Sequence, residues 1–169
     1  KILKSALFVS TILAVGIVAL TQVALAATTA TVTATVTVQN ISVSVSVSDG
    51  AVVYGTLGTN TSADTNPADT QIATNNGNVT EGFNISGQNS VAWTLAGIAG
   101  ADTYVHKFCT ATCGNPPTNY TALTTSYQTL ATAVAPSGTK TFDLYITTPT
   151  SSSSFTQQSV SVTVQAVAN

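Results

Sequence analysis

The amino-acid sequence predicts an all-β protein, a single sandwich of about seven to nine short strands. Three observations carry that expectation. Apolar and polar residues alternate with a period of two in segment after segment, clusters of Gly, Pro, Asn, Asp and Ser separate the segments, and threonine and valine abound. Both of those residues branch at the β-carbon, which suits a pleated surface. A chain of 169 residues allows one domain with a sizeable core once its first residues are set aside.

Those first residues make the first element. Lys1 and Lys4 lead into an apolar run over 6–20, and Ala24, Leu25 and Ala26 then place small residues where signal peptidase cuts. Residues 1–26 are expected to be either a signal peptide removed before Ala27 or a retained hydrophobic helix. Residues 6–26 just reach the length of about 20 that crosses a bilayer, and only if retained would they hold the chain to a membrane. A retained helix is how a pilin packs in a filament core, with the difference that Lys1 and Ser5 stand where pilins carry an aromatic and an acidic residue.

In the next element, residues 27–40, Val32, Ala34, Val36 and Val38 occupy even positions. Ile41, Val43, Val45 and Val47 occupy odd ones, so the alternation changes phase at Gln39 and Asn40. One strand cannot change phase and keep one face buried, so a bulge, a turn or a change of sheet belongs there. Residues 27–40 therefore read as an N-terminal strand and 41–169 as the sandwich. The strand is either the first of its own sheet or one donated to a neighbouring subunit through Val32, Val36 and Val38.

Later alternations are Val79, Phe83 and Ile85; Val91, Trp93 and Leu95; Tyr104, His106 and Phe108; Phe142, Leu144 and Ile146; and Val160, Val162 and Val164. Segments 51–57 and 70–74 are weaker strands. Turn chemistry divides them at Asp49-Gly50, 58–67, Asn75-Asn76-Gly77, 87–89, 97–100, 114–117, Pro136-Ser137-Gly138 and 149–154. Strands at this spacing point to an immunoglobulin-like or jelly-roll sandwich.

Composition narrows the function. Charged residues are 6% of the chain, and beyond residue 26 only Lys107 and Lys140 oppose Asp49, Asp64, Asp69, Glu81, Asp102 and Asp143. Such a surface offers phosphates almost nothing, which argues against nucleic-acid binding. Solubility rests on Ser, Thr, Asn and Gln, as in many proteins that live outside cells.

The stretch 70–85, with Asn75-Asn76-Gly77 between two alternating runs, resembles the strand, Asn-x-Gly, strand turn of secreted sandwich proteins that include TasA-like fibre subunits. Trp93-Thr94-Leu95, Tyr104-Val105-His106 and the 160–166 end are similar to Ser/Thr-rich surface proteins of candidate-phylum bacteria. The resemblance implies an extracellular sandwich able to assemble into fibres.

Candidate sites are few. Cys109 and Cys113 flank a short Gly/Pro-rich turn, and in an exported chain such a pair is expected to form a disulfide that tethers a loop. His106, Cys109 and Cys113 supply three of the four ligands a structural zinc needs, and no further His or Cys exists, so no metal is expected. One histidine without a Gly-x-Ser-x-Gly elbow does not make a hydrolytic triad. The sole glutamate, Glu81, reads as a solvated charge. No catalytic residue and no cofactor are expected, and the chain reads as not an enzyme.

Asn40, Asn60, Asn78, Asn84 and Asn119 begin Asn-x-Ser/Thr triplets, candidate glycosylation sites in a chain so rich in Ser and Thr. Trp93, in phase with Val91 and Leu95, is expected to be the central core ring. Tyr120 and Tyr127 are the best candidates for an exposed stacking surface, and His106 is expected to be partly buried or at a rim. Two functions fit: a cell-surface structural protein, self-associating through sheet edges as a subunit of a fibre, pilus or coat, or a secreted adhesin or carbohydrate-binding module with a glycan ligand. Both place the chain outside the cell or on its surface.

Overall fold

The computed structural model describes residues 29–114 and 118–169, so the expected signal peptide or hydrophobic helix over 1–26 lies outside the described residues. Among the described residues every regular element is a strand. In chain order these are β1 (Val45–Ser48), β2 (Ser62–Asp64), β3 (Gln71–Asn75), β4 (Glu81–Gly87), β5 (Thr94–Leu95), β6 (Thr103–Cys109), β7 (Thr121–Ala122), β8 (Gln128–Val134), β9 (Thr139–Thr147) and β10 (Val162–Ala168).

They form two sheets in a sandwich-like arrangement. The larger runs β1-β3-β9-β6-β5, with β2 also on β9 and β7 also on β6; the smaller runs β10-β4-β8. All pairings are antiparallel except β5 with β6. The pairing of β6 with β9 sets His106 opposite Ile146 and Phe108 opposite Leu144, which turns an apolar row toward the smaller sheet. Phe83 and Ile85 of β4 and Leu130 and Val134 of β8 meet that row, with Tyr104 and Phe142 completing the core. β8 and β9 are consecutive in sequence but belong to different sheets, so the 135–138 turn carries the chain across the sandwich.

The strand directions define two ends. β4 begins, and β8 and β10 finish, beside the 76–80 and 135–138 turns. Asn40 reaches that end as well, its carbonyl accepting a hydrogen bond from Asn78 Nδ2 at 2.7 Å. At the far end residues 88–102 and 148–158 are knitted together, with Gln158 accepting from Ser90 Oγ and Trp93 Nε1 donating to Ser152 Oγ.

The chain divides between Val38 and Gln39 into two units, at the point where the alternation changes phase. Within the first unit, residues 29–38 carry no strand, and Val32, Val36 and Val38 are 93%, 89% and 88% exposed.

Several elements depart from expectation. Only Thr94 and Leu95 of the 91–95 run are in a strand, and Val91 is fully exposed. The segment 51–57 forms no strand, although Val52, Tyr54 and Leu57 pack on the core. β8 was not foreseen, because Ala131, Thr132 and Ala133 blur its alternation. Trp93 is half-buried against Tyr104, with ring centroids 6.2 Å apart, and the fully buried rings are Tyr104 and Phe83. The indole lies at the end of the sandwich, where its N–H finds a serine hydroxyl.

Candidate functional site

One buried polar cluster lies beside the 76–80 turn. Glu81 is the first residue of β4 and is 0% exposed, which corrects the expectation of a solvated charge. Its strand is the middle one of the smaller sheet, and its side chain crosses to the larger sheet, where Oε1 accepts from the Ser44 backbone N–H at 2.8 Å. Oε2 is buried without a partner. Beside it Asn75, also 0% exposed, donates Nδ2 to the Val79 and Val134 carbonyls and accepts the Gly77 N–H on Oδ1. Asn75 thereby ties β3 to the end of β8 across the sandwich. Gly77 is required by close approach, since a β-carbon there would overlap Glu81 Oε1 and the Ser42 carbonyl.

A second polar pair joins buried His106 to half-buried Tyr54. The histidine is 2% exposed, fully buried where a partly buried or rim position was expected, because it lies on the core row of β6 and the 51–57 segment covers it. Its Nε2 lies 2.9 Å from Tyr54 Oη and its Nδ1 is buried without a partner. Burial lowers the His106 pKa to about 4 and raises that of Tyr54. At neutral pH the pair is therefore an uncharged imidazole against a phenol.

On the opposite face of the larger sheet, Asp143 is 7% exposed and accepts the Thr70 hydroxyl at 2.6 Å and the Thr65 hydroxyl at 3.4 Å. Nearby the Tyr120 and Tyr145 rings lie 5.6 Å apart, with Lys107 Nζ 5.6 Å from the centroid of Tyr145. Tyr120 Oη is buried and unpartnered, and its pKa is pushed up to about 12 by desolvation first and then by Asp143 and Asp64. Tyr127 stands apart at 49% exposed.

Cys109 and Cys113 form the expected disulfide, with Cα atoms 5.7 Å apart at the end of β6. Their sulfurs are bonded to each other and so do not serve as thiolate ligands. Among the described residues no three His, Cys, Asp or Glu side chains gather into a metal site.

No family model, curated protein or solved structure matches this chain.

The candidate glycosylation sites differ in access. Asn60 and Asn119 are exposed on turns with positive φ, of 54° and 61°. Asn78 is exposed, but its amide bonds Ser42 N and the Asn40 carbonyl. Asn84 is half-buried in the central strand β4, between Thr129 and Gln165, and Asn40 lies exposed at the entry to the sandwich. Two shallow depressions, of about 380 and 330 Å³, lie beside the 135–138 turn and against the disulfide loop. The first is lined largely by Ala131, Thr132, Ala133 and Val134, the second by the disulfide, Asn66 and Asp143. Neither is lined by Glu81, His106 or Tyr120, whose Oε2, Nδ1 and Oη are buried without partners.

Proposed function

We propose that the chain is an exported, non-enzymatic structural protein of the cell surface, a subunit of a fibre, pilus or coat, as its resemblance to TasA-like subunits implies. The observation that carries this reading is the arm over 29–38. It alternates threonine with valine or alanine, bears no charge, has no strand partner among the described residues, and leaves its valines almost wholly exposed. Among the described residues the sandwich core contains none before Val45, so folding of the sandwich is not expected to call on the 29–38 arm. An extended, uncharged, alternating segment is suited to adding as a strand to another sheet, where backbone hydrogen bonds give affinity and alternate side chains give register. The disulfide fits an oxidising compartment, which supports export.

Deleting residues 27–38 tests the proposal. The shortened chain is expected to keep its melting temperature and to remain monomeric, while the chain beginning at Ala27 forms filaments visible by electron microscopy. An unfolded product, or filaments that persist, would overturn it. The Tyr120 and Tyr145 pair with Lys107 favours a second reading, a glycan-binding module. Dispersed chains that bind glycans and never form filaments would select that reading instead.

A further inference from the structure

Resting on that assembly reading, we infer that residues 30–38 of one copy add antiparallel to the free edge of β10 in the next copy, joining the copies head to tail. The Asn169 N–H donates to the Thr80 carbonyl at 3.1 Å, so this is a hydrogen-bonded pair of the β10–β4 ladder. In an antiparallel ladder bonded and non-bonded pairs alternate. Counting back along the register, Val167, Thr163 and Gln165 bond to β4, whereas Val162, Val164, Ala166 and Ala168 turn their N–H and C=O groups outward. The Gly87 N–H agrees with this phase: it lies opposite Val162 yet donates to the Thr124 carbonyl on the other side. Among the described residues no backbone hydrogen bond reaches the outward side of β10.

That edge also lacks the usual protection. Val162–Ala168 contains no charge and no proline, and it pairs with β4 without a register shift. The other edge of the same sheet, β8, has register shifts against β4, and its Thr132 and Val134 carbonyls are already taken by Asn169 and Asn75. β1 has four residues and β5 two, which leaves β10 with seven as the longer regular edge.

The arm matches it in face, length and direction. Val160, Val162, Val164 and Ala166 pack against the core, and a strand laid beside them turns Val32, Ala34, Val36 and Val38 toward the same core and its threonines to solvent. At about 3.3 Å per residue the arm spans roughly 30 Å against roughly 23 Å for β10. Neither partner carries a charge that would have to be desolvated. The arm joins its own sandwich at Asn40, at the end where β10 finishes. In a head-to-tail pair the arm therefore enters the neighbour from the far end with its N-terminus leading, which makes it antiparallel to β10. That far end presents Val91, Ile98 and Phe155, which are 103%, 83% and 88% exposed, to the abutting copy.

The test is amide hydrogen exchange on the chain beginning at Ala27, dispersed and assembled. Exchange at Val162, Val164, Ala166 and Ala168 is expected to slow by about tenfold or more on assembly, with residues 129–134 unchanged. Assembly that leaves those four amides unprotected, or that protects β8 instead, overturns the β10 assignment alone. Failure to assemble overturns the structural-subunit reading and this inference with it. Ala166→Pro removes one outward N–H without touching the β4 ladder, so it is expected to fold by circular dichroism and to lose assembly. A folded Ala166→Pro that assembles normally also overturns the assignment, and if the variant does not fold the exchange experiment decides.

Discussion

Glu81 lies in phase with Val79, Phe83 and Ile85, so the alternation that sends the phenylalanine inside sends the carboxylate with it. The alternation that sets the position is in the sequence, although a lone glutamate there reads first as a solvated charge. Its partner cannot be read there, because Ser44 is 37 residues away, just before β1 of the other sheet, and no local pattern names such a contact. Glu81→Ala removes the acceptor of the Ser44 N–H and is expected to cost about 1–3 kcal/mol in chemical denaturation. An unchanged midpoint would mean that water replaces the carboxylate freely. His106 gives a prediction in pH. Its folded pKa, about 4, lies below the 6.5 of the unfolded chain, so between those values the unfolded state binds more protons. The resulting stability is complete above about pH 6.5 and is lost as pH falls toward 4, by roughly 3 kcal/mol. Measuring stability from pH 7 to pH 4 should show that slope, and His106→Gln should flatten it. A wild-type curve level over this range would mean that the imidazole is hydrated in solution.

Strands announced themselves where large apolar side chains alternate, as in β4, β6, β9 and β10. β8 escaped because its inward residues, Leu130 and Val134, are separated by small residues whose burial depends on what packs over them. The reverse happened at 51–57, which has a strand's composition but lies across the core without a strand partner, anchored by Tyr54 on His106. Pairing partners, and not propensity, decided both cases. The disulfide is the cross-link expected of a close cysteine pair in an exported chain. Cys109 is already held by β9, paired with Asp143, and the bond closes only the short turn to Cys113, so it removes little unfolded-chain entropy. Replacing both cysteines by serine is expected to lower stability by less than about 2 kcal/mol and to leave the circular dichroism spectrum intact. Loss of the β signal would show that the loop holds the fold.

At the phase change after Val38 the described residues divide into an exposed alternating arm over 29–38 and a sandwich whose core cluster begins at Val45. The phase change could be read from valine positions alone, whereas the free edge of β10 needed the register of three strands that are distant in sequence. If copies join by strand addition, the forces between them are backbone hydrogen bonds and burial of Val32, Val36 and Val38, in a chain with 6% charged residues. Screening has little to act on there. Raising sodium chloride from about 0.01 M to about 1 M shortens the Debye length from roughly 30 Å to roughly 3 Å, and the amount of sedimenting filament is expected to stay level. Sulfate, which strengthens apolar burial, is expected to increase it. Filaments that dissolve in sodium chloride would instead place ion pairs of Lys107 or Lys140 with the aspartates at the contact between copies, where an uncharged arm seated on an uncharged edge has none to offer.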